Sequence, residues 1–410
     1  VSLTSQGGRF VQSATPPGVI NFGLGQPSPR LLPLATIAEA AQAQLSATAS
    51  RLVLQYGTLA GTADFRASLA AFLRAGYGQP VDADELLITA GISSALSLAC
   101  EVFARPGGLV VCEDPTYFLA RGIFESAGLR LTGVGVDERG LDVDALAARL
   151  AAGLRPDLLY CIPSFQNPSG VSLAPERARR LIELAEAFDF TIIADEPYAL
   201  LHYGPSGPGS LAGFEAALHA GVDSDLKSDV DSGRVLSLGS FSKILAPGLR
   251  LGWAQGSPAL IERLSWHGAL RSGGGLNPVI AHIVHHTLES GFLPGHVASL
   301  RETFAGRAQA LTAALRGALP GLELQAPEGG YFLWLDLGER LQLAEGSPHA
   351  AALEAAEVRV IPGQRCALDR DLSRFVRLSV SFYEAGELEE GARRLAAGLH
   401  AARRTTSPNE

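Results

Sequence analysis

Lysine is almost missing from this chain: of the 33 cationic side chains in its 410 residues, only Lys227 and Lys243 are lysines and all the others are arginine. A chain that uses guanidinium nearly everywhere keeps an amine where arginine cannot substitute, and chemistry that needs a deprotonatable nitrogen is such a place. Lys243 is therefore singled out before any motif is read. Methionine is absent and the chain opens on Val1, so distances along the sequence carry meaning only relative to one another. The four cysteines, Cys100, Cys112, Cys161 and Cys366, are far apart and form no CxxC pair. That argues against a disulfide framework and for buried thiols in a reducing compartment. An excess of basic charge is lacking too, with 33 cationic against 42 acidic side chains and a balance of −9. A general binder of nucleic acid or of an anionic membrane is thereby disfavoured, and any anionic ligand must be held by a local cluster. Long apolar runs are missing: the uncharged stretch Pro197 to Phe214 is broken by Gly and Pro, and Val1–Phe10 shows no basic segment followed by an apolar one. The expectation is a soluble, cytoplasmic protein without membrane or nucleic-acid partners.

What is present is ordinary for a folded enzyme: 47% hydrophobic residues, 18% charged, 46 Gly and 24 Pro. From Leu86 to Gly239 short apolar runs alternate with amphipathic stretches, the pattern of strands joined by crossover helices. The runs are Leu86–Thr89, Leu109–Cys112, Leu129–Val134, Leu158–Ile162, Thr191–Ala194 and Val235–Leu238, each apolar at consecutive positions as in strands covered on both faces. Helical periodicity fills Ser93–Phe103, Thr116–Ala127, Asp142–Leu150 and Pro175–Phe188 between them. The fold class predicted is α/β, a mostly parallel sheet sandwiched by helices, with a smaller α+β domain at the C-terminal end. Residues 1–50 are read as an arm and helix packing with the small domain, 51–290 as the large α/β domain and 291–410 as the small one. Gly204–Gly233, Gly/Pro-rich and then acidic through Asp223, Asp225, Asp229 and Asp231, reads as a surface excursion.

In a parallel sheet, ligands bind beyond the carboxyl ends of the strands. Asp195-Glu196-Pro197-Tyr198 follows one apolar run, Pro163 to Gly170 (PSFQNPSG) another, and Gly239-Ser240-Phe241-Ser242-Lys243 a third, with Arg250 seven residues on. Ala90-Gly91-Ile92-Ser93-Ser94 opens a helix whose free N–H groups suit a phosphate. Ser240, Ser242 and Arg250 can add donors to the same anion. An amine, a carboxylate and a phosphate cradle on the strand ends of one sheet are the set that pyridoxal phosphate requires: a Schiff-base lysine, a partner for the pyridinium nitrogen and an anchor.

At these residues the chain resembles the class I/II aminotransferases, the fold-type I pyridoxal-phosphate enzymes, and most of all the branch with 2-aminoadipate and kynurenine aminotransferases and the aminotransferase-like half of some winged-helix regulators. The matching segments are LQYGTLAGTADFR around Tyr56-Gly57, EDPTYF at Glu113–Phe118, FQNPSG at Phe165–Gly170, ADEPY at Ala194–Tyr198, GSFSKILAPGLRLGW at Gly239–Trp253 and VRLSVSF at Val376–Phe382. They stand in family order over nearly the whole chain. The resemblance implies that Lys243 binds the cofactor covalently and later moves the Cα proton, and that Asp195 pairs with the ring nitrogen. It further implies that Asn167 and Tyr198 hydrogen-bond the phenolic oxygen and that Tyr117 stacks on the ring. Ser240, Ser242, Arg250, Gly91 and Ser93 would hold the phosphate, with Tyr56 reaching the phosphate of a neighbouring subunit in a homodimer. Arg377 would clamp the substrate α-carboxylate, with Gly25 and Asn167 close by. The implied activity is exchange of the amino group between an L-amino acid and a 2-oxo acid by a ping-pong mechanism. The chain departs from the branch at Ile92-Ser93, where Ser-Gln is usual, at the long 204–233 excursion, and at Gly273-Gly274-Gly275, where polar residues are common.

Two other functions remain open on sequence alone: a C–S lyase of the same fold, eliminating a β-substituent from the same carbanion, and a non-catalytic, cofactor-sensing effector domain. The second is disfavoured by the acidic balance and by the absence of a basic segment ahead of Val1. His282, His285, His286 and Glu289 stand at helical spacing, but without an HExxH pattern packing is the expected role and no metal is assigned. Ser240-Phe241-Ser242-Lys243 satisfies an SxxK pattern with no KTG to accompany it, and neither Gly23-Leu24-Gly25 nor Gly133-Val134-Gly135 continues into GxGxxG. No second cation is assigned to a substrate side chain, and Tyr203, Phe22 and Leu24 point to apolar or broad acceptance.

Overall fold

A computed structural model describes residues 15–220, 233–338, 343 and 346–406. The chain opens with strand β1 (Ile20–Asn21), helix α1 (Leu34–Leu45) and helix α2 (Ala63–Tyr77). Phe65, Leu69, Leu73 and Tyr77 recur every four residues of α2, and this spacing lays one buried stripe against the core. Strand–helix alternation follows: β2 (Leu86–Thr89), α3 (Ile92–Phe103), β3 (Leu109–Asp114), α4 (Phe118–Ser126), β4 (Arg130–Asp137), β5 (Gly140–Leu141), α5 (Val143–Ala151), β6 (Leu158–Cys161), α6 (Pro175–Phe188) and β7 (Thr191–Asp195). Then come α7 (Leu211–His219), β8 (Val235–Ser240) and β9 (Gly252–Gln255).

These strands form one eight-stranded sheet in the order β2-β9-β8-β7-β6-β3-β4-β5. Pairing is parallel from β4 through β3, β6 and β7 to β8. β9 runs antiparallel to both β8 and β2. Every residue of β6, β7 and β8 is buried, which is why these strands read as unbroken apolar runs rather than as alternation. β4 and β6 lie on opposite sides of β3, so the order reverses there and opens a crevice beyond the strand ends.

Helices α8 (Pro258–Ser265), α9 (Gly268–Gly273), α10 (Pro278–Glu289) and α11 (Phe292–Ala318) lead to β10 (Phe332–Asp336), α12 (Pro348–Ala355), β11 (Val358–Arg359), β12 (Ile361–Pro362), β13 (Phe375–Ser379) and α13 (Ala385–Thr406). β10, β13 and β12 make a small antiparallel sheet, and β1 pairs with β11. The 27-residue α11 serves two cores: Leu293, Val297, Leu300 and Phe304 pack with α2, and Ala308, Leu311 and Leu315 pack with β10 and β13.

Three local differences from the sequence reading have physical causes. The 204–233 segment is not all excursion. Its middle forms α7, started by Ser210 accepting a hydrogen bond from Gly213 N at 3.0 Å and seated by buried Leu211 and Ala212. The acidic residues Asp223, Asp225, Asp229 and Asp231, with Lys227, lie outside the described residues. The helical stretch that starts at Pro258 breaks at Trp266, because His267 caps a new helix by accepting from Ala269 N. β9 went unread because it is short and enters the sheet against the parallel trend. Among the described residues no helix is long and apolar enough to cross a membrane.

Candidate active site

β7 ends on Asp195, whose carboxylate is buried. Its Oδ2 accepts a 2.6 Å hydrogen bond from the hydroxyl of Tyr160 on neighbouring β6, while Oδ1 is buried without a partner. An orphaned buried carboxylate oxygen is costly unless a donor from outside the chain meets it. Burial pushes Asp195 up to about 6, against the opposing pull of the Tyr160 hydrogen bond and of Lys243.

Lys243 stands three residues beyond β8. Its Nζ donates to the Gly25 carbonyl at 2.8 Å and lies 5.7 Å from the centroid of the Tyr331 ring. Burial and then the positive charge of Arg377 pull its pKa down to about 8; Asp195 opposes this and Arg250 adds to it. Tyr331 also fixes the lysine from behind, its hydroxyl donating to Lys243 O at 3.2 Å.

Gly91 caps α3 with φ +83°, a conformation that a side chain would strain, and a Cβ there would stand 3.1 Å from Arg250 Nη2. Arg250 itself is left-handed, φ +48°, and Asn277 Nδ2 pins that turn by donating to Arg250 O at 2.7 Å and Leu249 O at 3.0 Å. Arg250 Nη1 lies 3.5 Å from Ser242 Oγ, and Ser242 N donates to Ser240 Oγ at 3.0 Å. Gly91, Ser240, Ser242 and Arg250 thus collect around the start of α3, where the first-turn N–H groups have no helical acceptor. Ser93 is in that turn but exposed.

Arg377, on β13, comes from the small sheet and is buried. Nη1 donates to Asn167 Oδ1 and Nη2 to Gly23 O, each at 2.9 Å, and Nε is buried without a partner. The Phe332 ring lies 4.2 Å from its Cζ and the Phe118 ring 5.8 Å. Gly25 is small because Phe332 is close: a Cβ would meet its Cζ at 3.2 Å. Asn167 is presented by a loop that Glu113 holds, accepting from Ile162 N at 2.9 Å and Gln166 Nε2 at 3.0 Å. Burial pushes Glu113 up to about 8 despite both bonds. Tyr198 is buried with its ring 5.1 Å from Tyr331, and burial raises its hydroxyl well above the usual range. Tyr117, in the N-cap position of α4, is pushed up to about 12 by burial and then by Asp195, with Arg377 and Arg250 pulling the other way.

The structure therefore brings together Lys243, Asp195, Asn167, Tyr198, Tyr117, Arg377 and Gly25, with the Gly91, Ser240, Ser242 and Arg250 group in electrostatic reach of Tyr117 and Lys243. Tyr56 is not among them; it is 83% exposed on this chain's surface.

The model of the family described as aminotransferase class I and II matches residues 17–395. The chain belongs to the class I and II aminotransferases. The aminotransferase is 33% identical over 386 residues to the aromatic-amino-acid aminotransferase 1 of Thermococcus litoralis, covering 92% of this chain and 87% of that one. It is 34% identical over 387 residues to the 2-aminoadipate transaminase of Thermus thermophilus, covering 93% and 90%. The crystal structure of Pyrococcus horikoshii kynurenine aminotransferase in complex with PMP matches with a TM-score of 0.81 at 29% identity, over 93% and 91% of the two chains. The fold-type I architecture and dependence on pyridoxal phosphate come with the family, and this aminotransferase has the groups that such a cofactor needs. The unpartnered Asp195 Oδ1 awaits an N–H donor, the Gly91 cradle is open beside Arg250, and a buried amine with a lowered pKa stands at Lys243.

Sequence reasoning missed four supporting residues of the aminotransferase: Tyr160, Tyr331, Phe332 and Asn277. Tyr160 and Tyr331 carried a readable signal, a hydroxyl inside an otherwise apolar run that must find a partner once buried. Asn277 carried none.

Proposed function

We propose that the chain exchanges amino groups between an L-amino acid and a 2-oxo acid by a ping-pong mechanism, with Lys243 as the group that both holds the cofactor and moves the proton. The observation that carries this is the pair on adjacent strand ends: Asp195 with one oxygen fixed by Tyr160 and the other unpartnered, and Lys243 with its pKa lowered to about 8. When bound, pyridoxal phosphate supplies the electron sink that makes loss of the substrate's Cα proton possible. Asp195, at about 6, is mostly ionised at neutral pH and keeps the ring nitrogen's proton in place. Lys243, at about 8, holds its proton loosely enough to release and retake it near neutrality. Asn167 and Tyr198 would hydrogen-bond the cofactor's phenolic oxygen and Tyr117 would stack on its ring. Ser240, Ser242, Arg250, Gly91 and Ser93 bind the phosphate at the start of α3. Arg377 binds the α-carboxylate, with Asn167 and Gly25 limiting its swing, and the rings of Phe332 and Phe118 exclude water.

The same reading makes the active unit a homodimer to which Tyr56 contributes across the interface. Leu52, Leu54 and Tyr56 are 75%, 70% and 83% exposed and form a run that a second copy would cover. It also divides the chain at 50/51 and 290/291; the pairing of β1 with β11 favours the arm's place with the small domain. A reducing, cytoplasmic setting is consistent with four free, buried cysteines. The test is a half-reaction: adding an L-amino acid alone to the cofactor-loaded protein bleaches its visible absorbance, a 2-oxo acid restores it, and Lys243→Ala does neither. Release of a 2-oxo acid from a β-thiol amino acid with no acceptor present would favour the lyase instead.

A further inference from the structure

α2 carries two stripes. Phe65, Leu69, Leu73 and Tyr77 form the buried one, and Ser68, Ala71, Phe72, Ala75 and Gly76 run beside it at i, i+3, i+4, i+7 and i+8. Ala71, Ala75 and Gly76 are small, so this second stripe leaves room rather than filling it. α11 faces that room with Pro294, Val297 and Arg301, again on one helical face, and Leu288 of α10 and Leu200 complete the wall. The result is a cavity of about 420 Å³ that shares no lining residue with the candidate active site. Gly76 keeps it open, since a Cβ there would meet Leu200 Cδ2 at 2.6 Å.

The two ends of the cavity differ in charge. At one end Arg301 Nε donates to Leu200 O at 2.7 Å, which leaves both Nη groups of a half-buried guanidinium to meet something else. Among the described residues Arg301 forms no ion pair, and burial pulls its pKa down with no neighbouring acid to oppose it. A cation taken partly out of water without a counter-ion is costly, and an anion brought to its planar fork offsets that cost. At the other end Ser68 Oγ donates to Glu289 Oε1 at 2.5 Å, so the negative charge there repels a second carboxylate. Ser68 and Gly76, which mark the two ends, are eight residues apart on α2, about 12 Å at ~1.5 Å per residue. Between them the walls are apolar: Phe72, Leu288 and Val297. An extended eight-carbon chain is about 9 Å long, given C–C bonds of about 1.5 Å.

We infer that this cavity is a second anion site, separate from Arg377, which binds a free monocarboxylate with an unbranched apolar body of about six to eight carbons. The carboxylate sits on the Nη groups of Arg301, and the chain lies along Val297, Phe72 and Leu288 towards Ser68. Glu289 fixes that direction and rejects a dicarboxylate of the same length. The site needs neither Lys243 nor the cofactor, so it stands or falls apart from amino transfer.

Calorimetric titration of the cofactor-loaded protein with octanoate and with octan-1-ol compares one chain with two heads, neither of which can be transaminated. The wild-type chain binds octanoate more tightly than the alcohol. Arg301→Gln weakens octanoate by ~10- to 100-fold, the loss of a charged hydrogen-bonding pair, and leaves octan-1-ol unchanged. Arg377→Gln leaves the octanoate affinity of this site as it was, which separates it from any carboxylate bound in the candidate active site. Should the Arg301 variant not fold, Ala71→Phe decides the matter: it fills the cavity from the exposed side of α2, keeps Arg301, and weakens both ligands. Four results overturn the inference: no octanoate binding, equal affinity for the acid and the alcohol, binding lost in Arg377→Gln but kept in Arg301→Gln, or binding unchanged in Ala71→Phe.

Discussion

The two sides of the site are built differently. The side proposed for the cofactor stands on one sheet: Asp195 ends β7, Ser240 ends β8 with Lys243 three residues on, and Tyr160 supports from β6, all on adjacent strands. The side proposed for the substrate is assembled from remote segments: Arg377 from the small sheet, Gly23 and Gly25 from the N-terminal segment, and Asn167 from the loop after β6. Chemistry that must be held to fractions of an ångström sits on the rigid, fully buried strands, and recognition, which must admit and release a ligand, sits where three segments meet. A hydrogen bond from Lys243 Nζ to Gly25 O joins the two sides.

If that division is correct, damage to the two sides has different signatures. Asp195→Ala, on the cofactor side, is expected to lower kcat by about 10^3-fold and to change the absorbance spectrum of the loaded protein, because both report on the ring nitrogen. Tyr160→Phe should act through Asp195 in the same sense, by about ten-fold. Arg377→Lys, on the substrate side, is expected to lower kcat/KM by about 10- to 100-fold, mainly through KM, with the spectrum unchanged. A spectral change in Arg377→Lys as large as in Asp195→Ala would break the division.

The smallest effect is on stability. Glu113 and Glu196 are pushed up to about 8, and Asp195 to about 6, by burial at or beside the strand ends. Each binds its proton more tightly folded than unfolded, so from their ordinary values of 3.8–4.5 up to about 8 the folded chain holds the more protons and loses stability as pH rises. Lys243 has the opposite sign: between about 8 and 10.5 the folded chain holds fewer protons and regains stability. The cofactor-free protein should therefore melt a few degrees lower at pH 8 than at pH 6. A melting point unchanged or higher at pH 8 would place the buried charge elsewhere.

The same contrast explains what could be read from sequence. β2, β7 and β8 were legible to within two residues because strands covered on both faces show themselves as apolar runs, and the chemistry follows each run directly. The family resemblance named Arg377 and Gly25, but not how they meet, because Gly23 and Arg377 are separated by 354 residues and their contact is written in tertiary packing alone. Asn277 escaped for that reason: its amide holds a turn 27 residues away. α7 escaped because Gly and Pro on its N-terminal side masked a sound Ser210 cap.

The central claim concerns one amine, and the scarcity of lysine makes it directly measurable. Borohydride reduction of the cofactor-loaded protein, followed by proteolysis and mass mapping, is predicted to leave the phosphopyridoxyl label on Lys243 and none on Lys227. Label on Lys227, or no label on either, would contradict the account.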